Sequence, residues 1–152
     1  MKIKILLKLY ILLFLLIGKS LSDEIKFNAK NIDIKNDGNV VIAYDSDLNI
    51  SEKDIKIKSN KAIYDKSKNI IEFFGDVYYE DLLNNLTVSS NTIVYFRDKN
   101  LIFSEDLTKI NLEEKYFIEG EKIYYDRNLQ NIYSYEKAII KDVQNNIFKF
   151  ED

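Results

Sequence analysis

The sequence predicts an all-β domain assembled from about four copies of a two-stranded repeat. Three observations predict it. Apolar and polar residues alternate at period two, the mark of half-buried strands, most clearly in Ile32-Asp33-Ile34-Lys35 and Ile55-Lys56-Ile57-Lys58. The apolar positions hold mainly Ile, Tyr, Phe and Val, which fit a pleated surface, while Ala is scarce. Four columns also recur about every thirty residues, the signature of a repeat architecture. Ile32, Ala62, Ile93 and Ile123 head the units; two positions on stand Ile34, Tyr64, Tyr95 and Tyr125; nine on stand Val41, Ile71, Ile102 and Ile132; eleven on stand Ala43, Phe73, Ser104 and Ser134.

From the N-terminus, residues 1–22 (MKIKILLKLYILLFLLIGKSLS) have a basic start at Lys2, Lys4 and Lys8 and an apolar run from Leu9 to Ile17. Ser20 and Ser22 then place small residues at −3 and −1 of a cut before Asp23. This is the tripartite pattern of a secretory signal peptide. Nine apolar residues are too few for a membrane span, which needs about 20. No Cys follows the run, so a lipid-modified N-terminus is excluded. The expected organisation is a signal peptide at 1–22 and one β domain at 23–152.

Within 23–152 each unit reads as two strands of about 4–8 residues, ten to twelve in all, joined by the polar segments KNDGN, DKSKN, RDKN and DRNLQN. Asp37-Gly38-Asn39 and Gly75-Asp76 are the best turn or bulge candidates, and Asp45 and Asp47 are expected in a turn. No later segment shows a 3.6-residue period. Alternation leaves one face apolar, to be hidden in a sandwich or a coiled jelly roll with open edges. The apolar columns fit a solid core or the wall of a groove.

Composition removes whole function classes. The chain has no Cys, no His, no Pro and four Gly, which excludes disulfides, thiolate metal sites, Ser-His-Asp triads, P-loops and dinucleotide fingerprints. Removing residues 1–22 takes away four lysines, leaving 18 Lys and Arg against 25 Asp and Glu, a net charge of −7. An acidic domain with two arginines, Arg97 and Arg127, does not suit nucleic acid. Carboxylate pairs such as Glu105/Asp106 and Glu113/Glu114 are neighbours on strands and point to opposite faces, so they read as solvated surface. Asn49-Ile50-Ser51 and Asn85-Leu86-Thr87 match the glycosylation sequon, a signal common by chance.

Three stretches carry a resemblance: IKFNAKNI, then GNVVIAYDSDLNI, then IKIKSNKAIYDKSKNIIEFFGDVYY. The phrase Ala62-Ile63-Tyr64-Asp65 followed by Gly75-Asp76-Val77 is echoed by Ile123-Tyr124-Tyr125-Asp126 and by Gly38-Asn39-Val40-Val41. From about Glu24 to Phe150 the chain resembles the OstA-like family of lipopolysaccharide-transport proteins, which takes in LptA and the N-terminal domain of LptD. The third and fourth units depart from the phrase, with Phe96, Asp106 and Glu136 where Asp, Gly and Gly fall. The resemblance implies a V-shaped β-jelly roll whose two sheets shield lipid acyl chains, with no catalysis and no cofactor. It implies lipopolysaccharide as cargo, docking to other jelly-roll proteins of a periplasmic bridge, and an outer-membrane β-barrel at the far end. On that basis Ile34, Tyr64, Ile71, Phe73, Tyr95, Ile102, Tyr125 and Ile132 are the candidate groove wall. Edge docking is assigned to the two chain ends, at Ile25 and Phe27 and at Ile147 and Phe148. The alternative is an exported structural or adhesive β-repeat protein with a solid core.

Overall fold

A computed structural model describes residues 25–150; the expected signal peptide lies outside them. The alternation resolves into twelve antiparallel strands. Five are long: β1 (Ile25–Lys35), β2 (Val40–Ile50), β3 (Ile55–Asp65), β4 (Ile70–Asp81) and β5 (Leu86–Phe96). Seven are short: β6 (Leu101–Ser104), β7 (Thr108–Leu112), β8 (Tyr116–Gly120), β9 (Ile123–Asp126), β10 (Asn131–Ser134), β11 (Ala138–Asp142) and β12 (Ile147–Phe150). No helix among the described residues is long and apolar enough to cross a membrane.

The long strands correct the expected length of 4–8 residues, because each runs for 11 or 12. The chain bends inside the strand without leaving its ladder. In β2 the bend is at Asp45, at φ 48°, so Asp45 and Asp47 belong to a strand and not to the expected turn. In β3 and β4 the register shifts between Lys58 and Lys61 and between Phe74 and Val77. Gly75 (φ 74°) and Asp76 (φ 47°) form the bulge in β4, as expected for that dipeptide. A Cβ on Gly75 would sit 2.6 Å from Asn60 Nδ2, so the close approach as well as the backbone angle requires glycine.

These bends align into one fold line that turns a single sheet over on itself. Sheet I has the order β1-β2-β3-β4-β5-β6-β9-β10; sheet II has β1-β2-β3-β4-β5-β7-β8-β11-β12. The long strands belong to both. In the later units the chain switches sheets between short strands, as from Ser104 on β6 to Thr108 on β7. The fold line is lined by small hydroxylated side chains that satisfy one another. Ser46 and Ser59 are 2.9 Å apart, and the Thr108 hydroxyl donates to Ser104 at 2.7 Å. Beside them Ala43 pairs with Ala62, and both are fully buried. Ala43, Ala62 and Ser104 therefore mark where the sheets converge, whereas Ser134 of the same columns lines a cavity at the C-terminal end.

The hairpin turns repeat too. Asn69, Asn100 and Gln130 take left-handed backbone angles at the tips of sheet I, as do Asp54 and Asn85 in sheet II, a conformation Asn and Asp tolerate best. Successive tips are laddered: the Arg97 N–H donates to the Asn69 carbonyl at 3.2 Å and the Arg127 N–H to the Asn100 carbonyl at 3.1 Å.

Candidate functional site

The sequence columns become rows running across the sheets. In sheet I, Ile34, Val41, Tyr64, Ile71, Tyr95, Ile102, Tyr125 and Ile132 are successive cross-strand partners. Seven of the eight candidate groove residues thus lie in one line, and Phe73, paired with Ala62 and Ile93, lies in the next line toward the fold. A second row in sheet II joins Phe27, Leu48, Ile57, Tyr79, Val88, Ile110, Ile118, Ile140 and Phe148. Sequence reasoning did not assign this second wall, although its signal was present in the alternation around Ile55-Lys56-Ile57. The rows face each other: the Tyr79 and Tyr125 rings meet edge to face with centroids 6.5 Å apart. Together they form an apolar trough.

The trough is filled over its N-terminal part. Ile71, Phe73 and Tyr95 are 0% exposed, and Ile102 and Tyr125 are 2% exposed, packed with Ile50, Ile55, Ile57 and Tyr79. Tyr64 is half-buried, and its hydroxyl accepts from Arg97 Nη1 at 2.6 Å. Ile34, at the open edge of β1, is 68% exposed. Ile132 is half-buried and lines two cavities at the C-terminal end. One, about 240 Å³, is walled by Ile118, Ile123, Ile132, Ala138 and Ile140. The other, about 620 Å³, has an apolar floor of Leu86, Leu112, Tyr125 and Ile132 under a polar rim of Asn84, Asn85, Lys115 and Gln130. The smaller cavity has a mainly apolar lining, whereas the larger is open to solvent and lined by more polar surface than apolar, Glu113 included.

A stagger between the sheets explains why one end is filled and the other open. Opposite the fold line the hairpin tips meet along a seam. The β2–β3 tip touches the β5–β6 tip, where Lys53 Nζ donates to Asn100 Oδ1 at 2.7 Å. The β4–β5 tip touches the β9–β10 tip, where Gln130 Nε2 donates to Asn84 Oδ1 at 2.8 Å. Sheet I ends at β10 after eight strands and sheet II at β12 after nine, so sheet II has one strand more than its partner.

One buried ion pair crosses the seam. Asp81, 0% exposed, accepts from Arg127 Nε at 2.7 Å, from the Tyr125 hydroxyl at 3.0 Å and from Asn84 Nδ2 at 2.7 Å. Arg127 Nη2 also donates to the Lys53 carbonyl at 2.5 Å. Burial alone would raise the Asp81 carboxyl, but the hydrogen bonds from Arg127 and Asn84 hold it below the ordinary carboxylate value. Burial pushes the hydroxyls of Tyr79, Tyr95 and Tyr125 up, so these wall residues stay neutral. Among the described residues no cluster of His, Cys, Asp and Glu is placed to hold a metal ion.

The sheet edges fall at both chain ends. β1 carries Ile25 and Phe27, half-buried, and β12 carries Ile147 and Phe148, 55% and 49% exposed. A third edge, β10, ends sheet I and was not foreseen.

No family model matches the sequence, and no curated protein matches it. Among solved structures the chain is similar to LptH, the LptA-homologous periplasmic component of the lipopolysaccharide transport device of Pseudomonas aeruginosa. The TM-score is 0.68 at 19% identity, over 89% of this chain and 99% of that one. The twelve-stranded folded sheet, open at its edges, is therefore a β-jelly roll of the LptA type.

Proposed function

We propose that this chain is a non-enzymatic, exported carrier that shields the acyl chains of lipopolysaccharide in its trough during transfer across the periplasm to the outer membrane. The observation that carries the reading is the apolar trough open around Ile132, in a fold shared with the LptH transport component. Each acyl CH₂ taken out of water contributes ~0.8 kcal/mol, which apolar walls and neutral tyrosines supply. Like domains join it edge to edge at β1 (Ile25, Phe27) and β12 (Ile147, Phe148) through backbone hydrogen bonds, and an outer-membrane β-barrel receives the cargo. The sheet I row from Tyr64 to Ile132, with Phe73, forms one wall of the path.

A benzophenone amino acid at Ile132, with exposed Lys58 as the outward control, tests this when lipopolysaccharide is added. An adduct at Ile132 and none at Lys58 supports the carrier. The absence of an Ile132 adduct in a folded chain would favour the second reading, a structural β-repeat protein. That reading draws on the filled N-terminal part, where Ile55, Ile57, Phe73, Tyr79 and Tyr95 leave no space.

A further inference from the structure

The buried polar side chains divide by position. Ser46, Ser59, Ser104 and Thr108 sit on the fold line, where hydroxyls bond to one another. Asp81, the one charged side chain in this set among the described residues, sits across the trough at the seam. A buried carboxylate in a largely apolar wall is costly to place, and a well-packed apolar pair would hold the seam at least as firmly. Stability alone therefore does not account for it.

What the pair offers over an apolar seam is the ease of opening. When an apolar seam parts, hydrocarbon meets water; when Asp81 and Arg127 part, both ions regain hydration. The pair also sits at the boundary of the open and filled parts. Tyr125, which donates to Asp81, is at the same time floor of the 620 Å³ cavity. Tyr79, packed edge to face on Tyr125, has a fully buried hydroxyl with no hydrogen-bond partner, so the polar layer is incompletely satisfied while shut.

Resting on the carrier reading above, we propose that Asp81, Arg127 and Tyr125 form a latch that holds the filled part of the trough closed and releases as an acyl chain advances from the open end. The latch joins residues 46 positions apart, one on each sheet, between the Lys53–Asn100 and Gln130–Asn84 contacts of the same seam, so its release loosens the seam at that point while the fold line stays intact.

The absence of Cys makes the test direct, since any single introduced Cys is the only thiol. The chain, expressed from its full-length sequence, carries Ile71→Cys in the filled part or Ile132→Cys in the open part, and the rate with a water-soluble aromatic disulfide is measured. Asp81→Asn is expected to speed the Ile71→Cys reaction about 10- to 100-fold, as the loss of a charge-assisted hydrogen bond implies, with Ile132→Cys changed less than about twofold. Should Asp81→Asn fail to fold, Tyr125→Phe removes one hydroxyl and is expected to give a rise of a few fold. An unchanged Ile71→Cys rate in a folded variant overturns the latch, and so does equal acceleration at both sites, which means general loosening. Cis-parinaric acid, a fatty-acid probe, separates the two readings. If it fails to shield Ile132→Cys while the latch variants behave as expected, the carrier reading falls and with it the acyl chain as the trigger, and what stands is that Asp81, Arg127 and Tyr125 hold the filled part closed.

Discussion

Replacing Arg127 by Met removes the countercharge of a carboxylate that has no contact with solvent. In the native chain Asp81 accepts from Arg127 through Nε at 2.7 Å and Nη2 at 3.3 Å. Three donors would remain, the Tyr125 hydroxyl, the Asn84 side chain and the Asn84 N–H at 3.1 Å. Breaking one partner of a buried pair costs about 3–5 kcal/mol, and the remaining donors put the expected loss near the lower bound. With a urea slope of ~1–3 kcal/mol per M, the midpoint at pH 7 falls by about 1–3 M. The pH dependence carries a sharper signature. In the native chain the folded carboxyl is held below its unfolded value, so its contribution is present above about pH 4 and is lost as pH falls through the folded pKa. In Arg127→Met the same carboxyl is buried without a countercharge, its folded pKa is raised, and folding takes up a proton. That variant gains stability as pH falls from 7, and the gap between the two chains closes toward pH 4. The double variant Asp81→Leu/Arg127→Met is expected to be at least as stable as the native chain. A loss below about 1 kcal/mol for Arg127→Met, or a gap that does not narrow on acidification, would refute the reasoning.

Three further expectations follow from positions described above. Gly75→Ala places a Cβ at φ 74° and against Asn60, so it should lower stability by about 2–3 kcal/mol. Adding Asn60→Ala should recover only the contact part, about 1 kcal/mol in a double-mutant cycle of urea midpoints; full recovery would mean that the backbone angle is unstrained. Tyr79→Phe removes an unsatisfied buried hydroxyl and should leave stability unchanged or raise it by about 1 kcal/mol in thermal unfolding, so a clear loss would reveal an unseen partner. Ile132→Trp should fill the shared wall of both cavities and cut cis-parinaric acid uptake by about tenfold or more at near-native stability, whereas unchanged uptake would place the lipid elsewhere.

Much of this architecture is legible in the sequence because antiparallel pairing converts a thirty-residue period into geometry. Hairpins of similar length carry Tyr64, Tyr95 and Tyr125 to equivalent places, where each pairs with the residue seven positions on, Ile71, Ile102 and Ile132. What the sequence concealed is tertiary. Asp45 gives no local sign of bending a strand, so β2 read as two pieces around a turn. The stagger of the sheets, which decides that Tyr95 is sealed while Ile132 faces open space, depends on no single residue pattern. The Asp81–Arg127 pair spans 46 positions and two sheets. Its one sequence-level trace is that Arg97 and Arg127, the only arginines, each follow their column tyrosine by two residues and so both arrive at hairpin tips.

The continuity of β1–β5 through the fold line sets how this molecule can deform. Four ladders between five continuous strands tie the sheets together there, so the β1–β5 part resists shear and swings instead, like a book on a stiff spine. Beyond β5 the spine is cut into short connectors such as Glu105–Leu107 and Glu121–Lys122, and the covers can move separately. Rigidity therefore grades along the molecule, from a stiff binding at β1 to a loose fore-edge at β10 and β12. Hydrogen exchange should trace that gradient strand by strand.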